Sequence, residues 1–180
     1  DSIVQEMKAG KYDIASMQPD QYDTYKDLSN ITLLGTITNS ISYVGFNMGH
    51  FDKATGEHVF EPGKKMSDPA LRKAIAYALD NDQVAKETYQ GLRISANTLL
   101  SPFFGEIYAD KSEIPGFTYN PEESKKILAD AGYKDTDGDG YVEDKDGKQL
   151  TITLLVAAGS QTDDAVVQQY IEWWKNVGLR

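Results

Sequence analysis

Short β-branched and aromatic runs alternate with capped amphipathic helices along this chain. That alternation confines it to an α/β architecture, in which a mixed sheet is flanked by helices. The strand-like runs are residues 12–16, 31–34, 41–47 and 150–156. The helices announce themselves by their first turns. Asp68 is a good N-cap, and Pro69 suits the first helical position because its missing N–H would be unbonded there anyway. Leu71, Ile75, Ala78 and Leu79 then fall on one face. Asn120-Pro121 repeats the signal, with Glu123 placed to reach back to the cap, and this helix runs to about Ala131 before Gly132. Residues 163–177 put Val166, Val167, Tyr170, Ile171, Trp174 and Val177 on one stripe. Shorter helices are expected over 2–9, 20–28 and from Asn81 or Asp82 to Tyr89, the last closed by Gly91. Residues 50–67 read as an exposed loop or hairpin. The irregular stretch 92–119 is long enough to be functional or to wrap another domain.

The 180 residues suit one domain or one lobe, taken here as a single segment, 1–180. The chain reads as an incomplete fragment, since it opens at Asp1 inside a helix and stops where a strand is starting. No apolar run approaches the roughly 18 residues that cross a bilayer, so direct membrane insertion by this segment is not expected. A formal net charge of −10 disfavours nucleic acid, whose phosphates need clustered Lys and Arg. Zero cysteines exclude thiol catalysis, Cys-ligated zinc and disulfides.

Residues 135–147 form an acidic, Gly-rich loop with calcium-like spacing. Asp135, Asp137 and Asp139 take positions 1, 3 and 5, Gly140 position 6, the Tyr141 carbonyl position 7, Glu143 position 9 and Asp146 position 12. Hard oxygens at alternate positions let a chain wrap one Ca2+. Two departures matter: Asp146 is shorter than the usual Glu, and a strand rather than a helix is expected to follow. The alternative is a solvated turn in which Asp and Gly supply local hydrogen bonds and positive φ. A bound ion here would be structural, and no cofactor is required. The loop Ala157-Ala158-Gly159-Ser160-Gln161-Thr162 lies between a strand end and a helix N-terminus, where open α/β sheets bind ligands and free N–H groups suit a carboxylate. An ordinary helix cap is the competing reading. Trp174 sits on the apolar stripe and belongs to the core, with Trp173 partly exposed beside it. His50 and His58 would need further ligands to hold a metal, and no Gly-x-Ser-x-Gly or phosphate-cradling loop occurs.

Several segments, in order, carry a family likeness: Tyr43-Val44-Gly45-Phe46-Asn47, Asp68-Pro69-Ala70-Leu71-Arg72-Lys73-Ala74-Ile75-Ala76-Tyr77-Ala78-Leu79-Asp80, Tyr119-Asn120-Pro121-Glu122, Leu128-Ala129-Asp130-Ala131-Gly132-Tyr133, Asp135-Thr136-Asp137-Gly138-Asp139-Gly140 and Leu150-Thr151-Ile152-Thr153-Leu154. The chain resembles the peptide- and nickel-binding family (family 5) of ABC-importer solute receptors, with a particular likeness to Gram-positive oligopeptide-binding lipoproteins. The resemblance implies a periplasmic-binding-protein-like (type II) lobe, cut from the C-terminal lobe of a two-lobed receptor. It implies a monomeric, non-enzymatic, cell-surface lipoprotein that closes on oligopeptides and delivers them to the membrane permease of an ABC importer. It places the loop with Ala158, Gly159, Ser160 and Gln161 at the interlobe cleft. It also places Tyr43 and Asn47 near a hinge-side crossing, where Tyr could pack on a peptide and Asn could bond its backbone. Arg residues that fix short peptides by their C-terminus in some members are lacking here, which implies longer ligands. A peptide-pheromone receptor of the same fold is the alternative, and a metal-dependent hydrolase using the Asp-rich loop is a third reading.

Overall fold

A computed structural model describes residues 2–17 and 19–180, with the side chains of Ser2, Val4 and Asp20 outside the description. The chain divides into two compact units. One comprises Asp1–Ile41 and Asn81–Pro115, the other Ser42–Asp80 and Gly116–Arg180.

The second unit is built on three helices, α3 (Pro69–Tyr77), α5 (Pro121–Asp130) and α6 (Gln161–Asn176). Each begins at a side-chain cap. Asp68 Oδ1 accepts from Ala70 N at 2.8 Å, Asn120 Oδ1 from Glu123 N at 3.0 Å, and Ser160 Oγ from Asp163 N at 3.1 Å. Ser160 therefore starts α6 two residues earlier than the hydrophobic stripe suggests. Helices α3 and α5 are joined where Asn120 N donates to Tyr77 O at 2.8 Å. Between them Ser124, fully buried, donates to Ala74 O at 2.7 Å, so a small polar side chain lets the helices approach and still satisfies its hydroxyl. Leu71, Ile75, Leu79, Leu128, Tyr133, Leu150, Trp174, Val177 and Leu179 complete one contiguous core. Each fully buried aliphatic side chain there contributes about 1.5–3 kcal/mol relative to exposure. Trp174 satisfies its indole by donating to Ile75 O at 3.2 Å. Of the α6 stripe, Trp174 and Val177 are buried, whereas Val166, Val167, Tyr170 and Ile171 are half-buried.

The sheet differs from expectation. Among the described residues the strands are β1 (Gly49–Asp52) and β2 (Glu57–Phe60), an antiparallel pair in register Gly49↔Phe60 to Asp52↔Glu57, inside the stretch read as loop or hairpin. Residues 12–16, 31–34, 41–47 and 150–156 form no strand, so the mixed sheet reduces here to this ribbon and two isolated bridges, Lys134↔Glu143 and Glu143↔Gln149. The reason is physical: β-propensity reports how a side chain fits a pleated surface, but a strand exists only when another backbone supplies its partners. Period-two burial persists without the ladder. Val44 and Phe46 are half-buried between exposed Tyr43, Gly45 and Asn47, and Leu150, Ile152 and Leu154 turn inward between exposed Thr151, Thr153 and Leu155. Ile152 N does find one partner, Arg180 O at 2.7 Å.

The first unit has α1 (Ser2–Lys8), α2 (Tyr22–Tyr25) and α4 (Asn81–Gln83), the last running into a π-helical turn at Val84–Thr88. The helix expected over 20–28 is thus shorter, one α-helical turn preceded by a 3-10 turn at Pro19–Gln21. Tyr25, Val84 and Tyr89 are buried. The irregular stretch is tied back by side chains: Ser101 Oγ donates to Thr38 O at 2.5 Å, and Asn97 Nδ2 to Ile114 O at 2.9 Å. Gln90 adopts φ 53°, and its Oε1 accepts from Asp23 N at 3.1 Å. No described helix is long and apolar enough to cross a membrane.

Candidate functional site

The sequence-derived candidates all fall in the second unit. Tyr43 and Asn47 share the outward face of the 42–47 stretch, since residues two apart point the same way. Tyr43 is 76% exposed and offers its ring to solvent. Asn47 Oδ1 accepts from Gly49 N at 3.1 Å, which fixes the exposed side chain at the entry to β1.

The loop before α6 is exposed at Ala157, Ala158 and Gly159, and Gly159 has φ 105°, a conformation that L side chains rarely adopt. Ser160 is half-buried, and Gln161 opens the helix. One of the helix's end N–H groups is already bonded, Asp163 N to Ser160 Oγ, and Asp164 N makes the first intrahelical bond, to Ser160 O at 3.0 Å. Asp163 and Asp164 also place two carboxylates in the first turn, where they complement the helix dipole. An incoming carboxylate would meet both fixed charges. This terminus is thus better suited to hydrogen bonding along a neutral backbone than to gripping a terminal carboxylate.

In the acidic loop, carboxylate oxygens of Asp135, Asp137 and Glu143 lie within 4.8 Å of one another, bringing calcium-like positions 1, 3 and 9 together. Asp139 and Asp146 are not in that group. The loop's carboxylates also accept hydrogen bonds from its own backbone. Asp135 accepts from Gly138 N at 2.7 Å and Gly140 N at 2.9 Å, Asp137 from Asp139 N at 3.1 Å, and Asp139 from Tyr141 N at 2.9 Å. Glu143, 7% exposed, accepts from both the N–H and the hydroxyl of Thr136 at 2.6 Å. Gly138 and Gly140, at φ 81° and 92°, make the two bends. The second Asp139 oxygen pairs with the Arg180 guanidinium.

Beyond the loop, Lys145 reaches across to Asp68, with Nζ 2.6 Å from Oδ2, and Tyr133 OH donates to the same oxygen at 2.9 Å. Burial alone would raise the Asp68 carboxyl, but Lys145, the Ala70 N–H and the Tyr133 hydroxyl outweigh it and hold the group below the ordinary carboxylate value. Tyr133 is pushed up, first by burial and then by Asp68. From its place in the acidic loop Lys145, like Lys148, is expected to offset part of that loop's charge, but the structure turns it to Asp68 instead, and Arg180 is not singled out by the sequence. The partners of Arg180 and Lys145 lie 41 and 77 positions away, at Asp139 and Asp68 (145 − 68 = 77), and no local signal reports such a pairing.

Comparison with known proteins fits this picture. The family described as "Bacterial extracellular solute-binding proteins, family 5 Middle" matches residues 1–180. An oligopeptide-binding protein, OppA of Lactococcus lactis subsp. cremoris, is 31% identical over 176 residues, covering 97% of this chain and 29% of its own length. The oligopeptide-binding protein AppA of Bacillus subtilis is 27% identical over 178 residues, covering 99% and 30%. Lactococcal OppA, solved with an endogenous peptide in the closed conformation, superposes with a TM-score of 0.86 at 30% identity, over 98% of this chain and 33% of that one. Bacillus subtilis AppA, solved with a nonapeptide, gives 0.76 at 26% identity over 99% and 32%. The chain therefore spans a third or less of the length of these relatives.

Proposed function

The chain belongs to family 5 of the bacterial extracellular solute-binding proteins, and from that membership we propose that it forms part of an oligopeptide receptor of an ABC importer. In this reading the full-length protein is an extracytoplasmic lipoprotein and a monomer. It closes two lobes on an extended peptide and hands it to the permease without turnover or a catalytic cofactor. The observation that carries the reading is the superposition, over 98% of this chain, on a receptor solved with peptide bound.

The local chemistry agrees. Tyr43 offers an apolar face with a polar tip, and Asn47 on the same face offers an amide to peptide N–H or C=O groups. Ala158 and Gly159 bring an exposed stretch with little side-chain bulk, beside Ser160 and Gln161 at the helix start, the surface that main-chain recognition needs if many sequences are to be accepted. No arginine lies in the 157–162 loop, and α6 starts with two acids, so the peptide's C-terminus is not gripped here and longer ligands are accommodated.

The test is to purify the full-length protein natively, release bound material with acid and identify it by mass spectrometry. A mixed set of peptides is expected. One defined peptide would turn the reading toward signalling, and sugars, nickel complexes or an empty extract would end the peptide assignment.

A further inference from the structure

We propose that Arg180 is the resident cation of the acidic loop, so that the loop keeps its fold without a divalent ion although its spacing is that of a calcium site. Three observations converge. The guanidinium pairs with Asp139 Oδ2, taking the carboxylate at position 5 away from the group formed by Asp135, Asp137 and Glu143. The same guanidinium lies over the ring of Tyr141, 4.5 Å from its centroid, a stacking that an exposed ion pair alone would not give. The backbone around Arg180 is locked to the loop and to the 150–156 stretch: Val142 N donates to Gly178 O at 2.8 Å, and Ile152 N to Arg180 O at 2.7 Å.

Three more of the loop's acids have partners of their own. Asp135 and Asp137 are taken up by backbone N–H groups, and Glu143 by Thr136. The loop's own Lys145 turns outward to Asp68 and lies 5.4 Å from the Tyr133 ring centroid. The middle of the loop and its C-terminal end thus each rest on a three-part joint of cation, tyrosine ring and aspartate. Arg180 does at mid-loop what Lys145 does near the end. A Ca2+ bound with this spacing would draw on Asp139 as its position-5 ligand, and Arg180 holds it.

The test is amide hydrogen exchange of the full-length protein, followed peptide by peptide, with Ca2+ and with chelator. In the wild type, exchange over 138–143 is expected to be the same in both. Arg180→Gln should speed exchange over 138–143 and at Ile152 by about two- to five-fold, the size that a partly exposed ion pair and its stacking support. Asp139→Asn should do the same, and the double variant should be no faster than either single one. Slower exchange of the wild-type loop in Ca2+ would overturn the proposal. So would an Arg180→Gln protein that exchanges at wild-type rates in chelator, or single variants whose effects simply add.

Discussion

The two units solve the same problem with different interactions. The unit containing α3, α5 and α6 buries one contiguous apolar core, and its polar bonds serve that core: Ser124 to Ala74 O, Trp174 to Ile75 O. Among the described residues, the unit containing α2 and α4 buries few apolar ones, Tyr25, Val84 and Tyr89. It leaves Ile14 and Leu34 more than nine-tenths exposed and is pinned instead by side chains such as Ser101, Asn97 and Lys111. Since burial is the dominant favourable term and a hydrogen bond adds only about 0.5–1.5 kcal/mol net, the two should differ in how much any one residue matters.

The largest contrast expected is between leucines. Leu128→Ala, at a site 1% exposed, should cost about 2–5 kcal/mol, whereas Leu34→Ala, 93% exposed, should stay within about 0.5 kcal/mol. Urea denaturation of both variants checks this, and equal losses would break the comparison. Next comes Tyr133→Phe, which removes a hydroxyl donating to a charged acceptor and should cost about 1.5–3 kcal/mol. The Asp68 carboxyl that accepts it has a lowered folded pKa, so its contribution is complete above the ordinary value of 3.8. That contribution is lost as pH falls below 3.8 through the folded pKa. Asp68→Asn should therefore flatten the acid limb of a stability–pH curve, and an unchanged limb would count against the network. Trp174→Phe should cost about 1–2 kcal/mol through the lost bond to Ile75 O and the smaller ring. The smallest effect is reserved for the other unit. Lys111→Met breaks bonds of 2.6–2.7 Å to Asp82 and one of 2.7 Å to Ser95 on a partly exposed pair, and should cost under about 1 kcal/mol by thermal unfolding. A loss above Trp174→Phe would show that the polar ties, not the few buried rings, hold that unit.

What the sequence made legible follows the same divide between local and distant causes. Asp68 and Asn120 were readable as caps because a cap bonds within three residues, and the alternation at 150–154 correctly turned Leu150, Ile152 and Leu154 inward. The strands over 31–34 and 41–47 were not realised, since their side-chain pattern could not report whether a partner backbone lies beside them. The π-turn at Val84–Thr88 gave no pattern distinct from the short helix expected there. At the candidate site, the convergence of Asp135, Asp137 and Glu143 was visible in the spacing, and the acids in the first turn of α6 could have been weighed against a carboxylate ligand. Arg180 was out of reach, because nothing near Asp139 announces it.

The bond from Trp174 to Ile75 spans 99 residues. During synthesis, the apolar face of α3 must wait for residue 174 before that contact can form. At about 5–20 residues per second, the wait is on the order of 5–20 s. Helix α5 arrives earlier and can cover part of that face, with Ser124 reaching Ala74 O across 50 residues. A nascent chain is thus protected in two instalments, and a chaperone would find most to hold before the first of them.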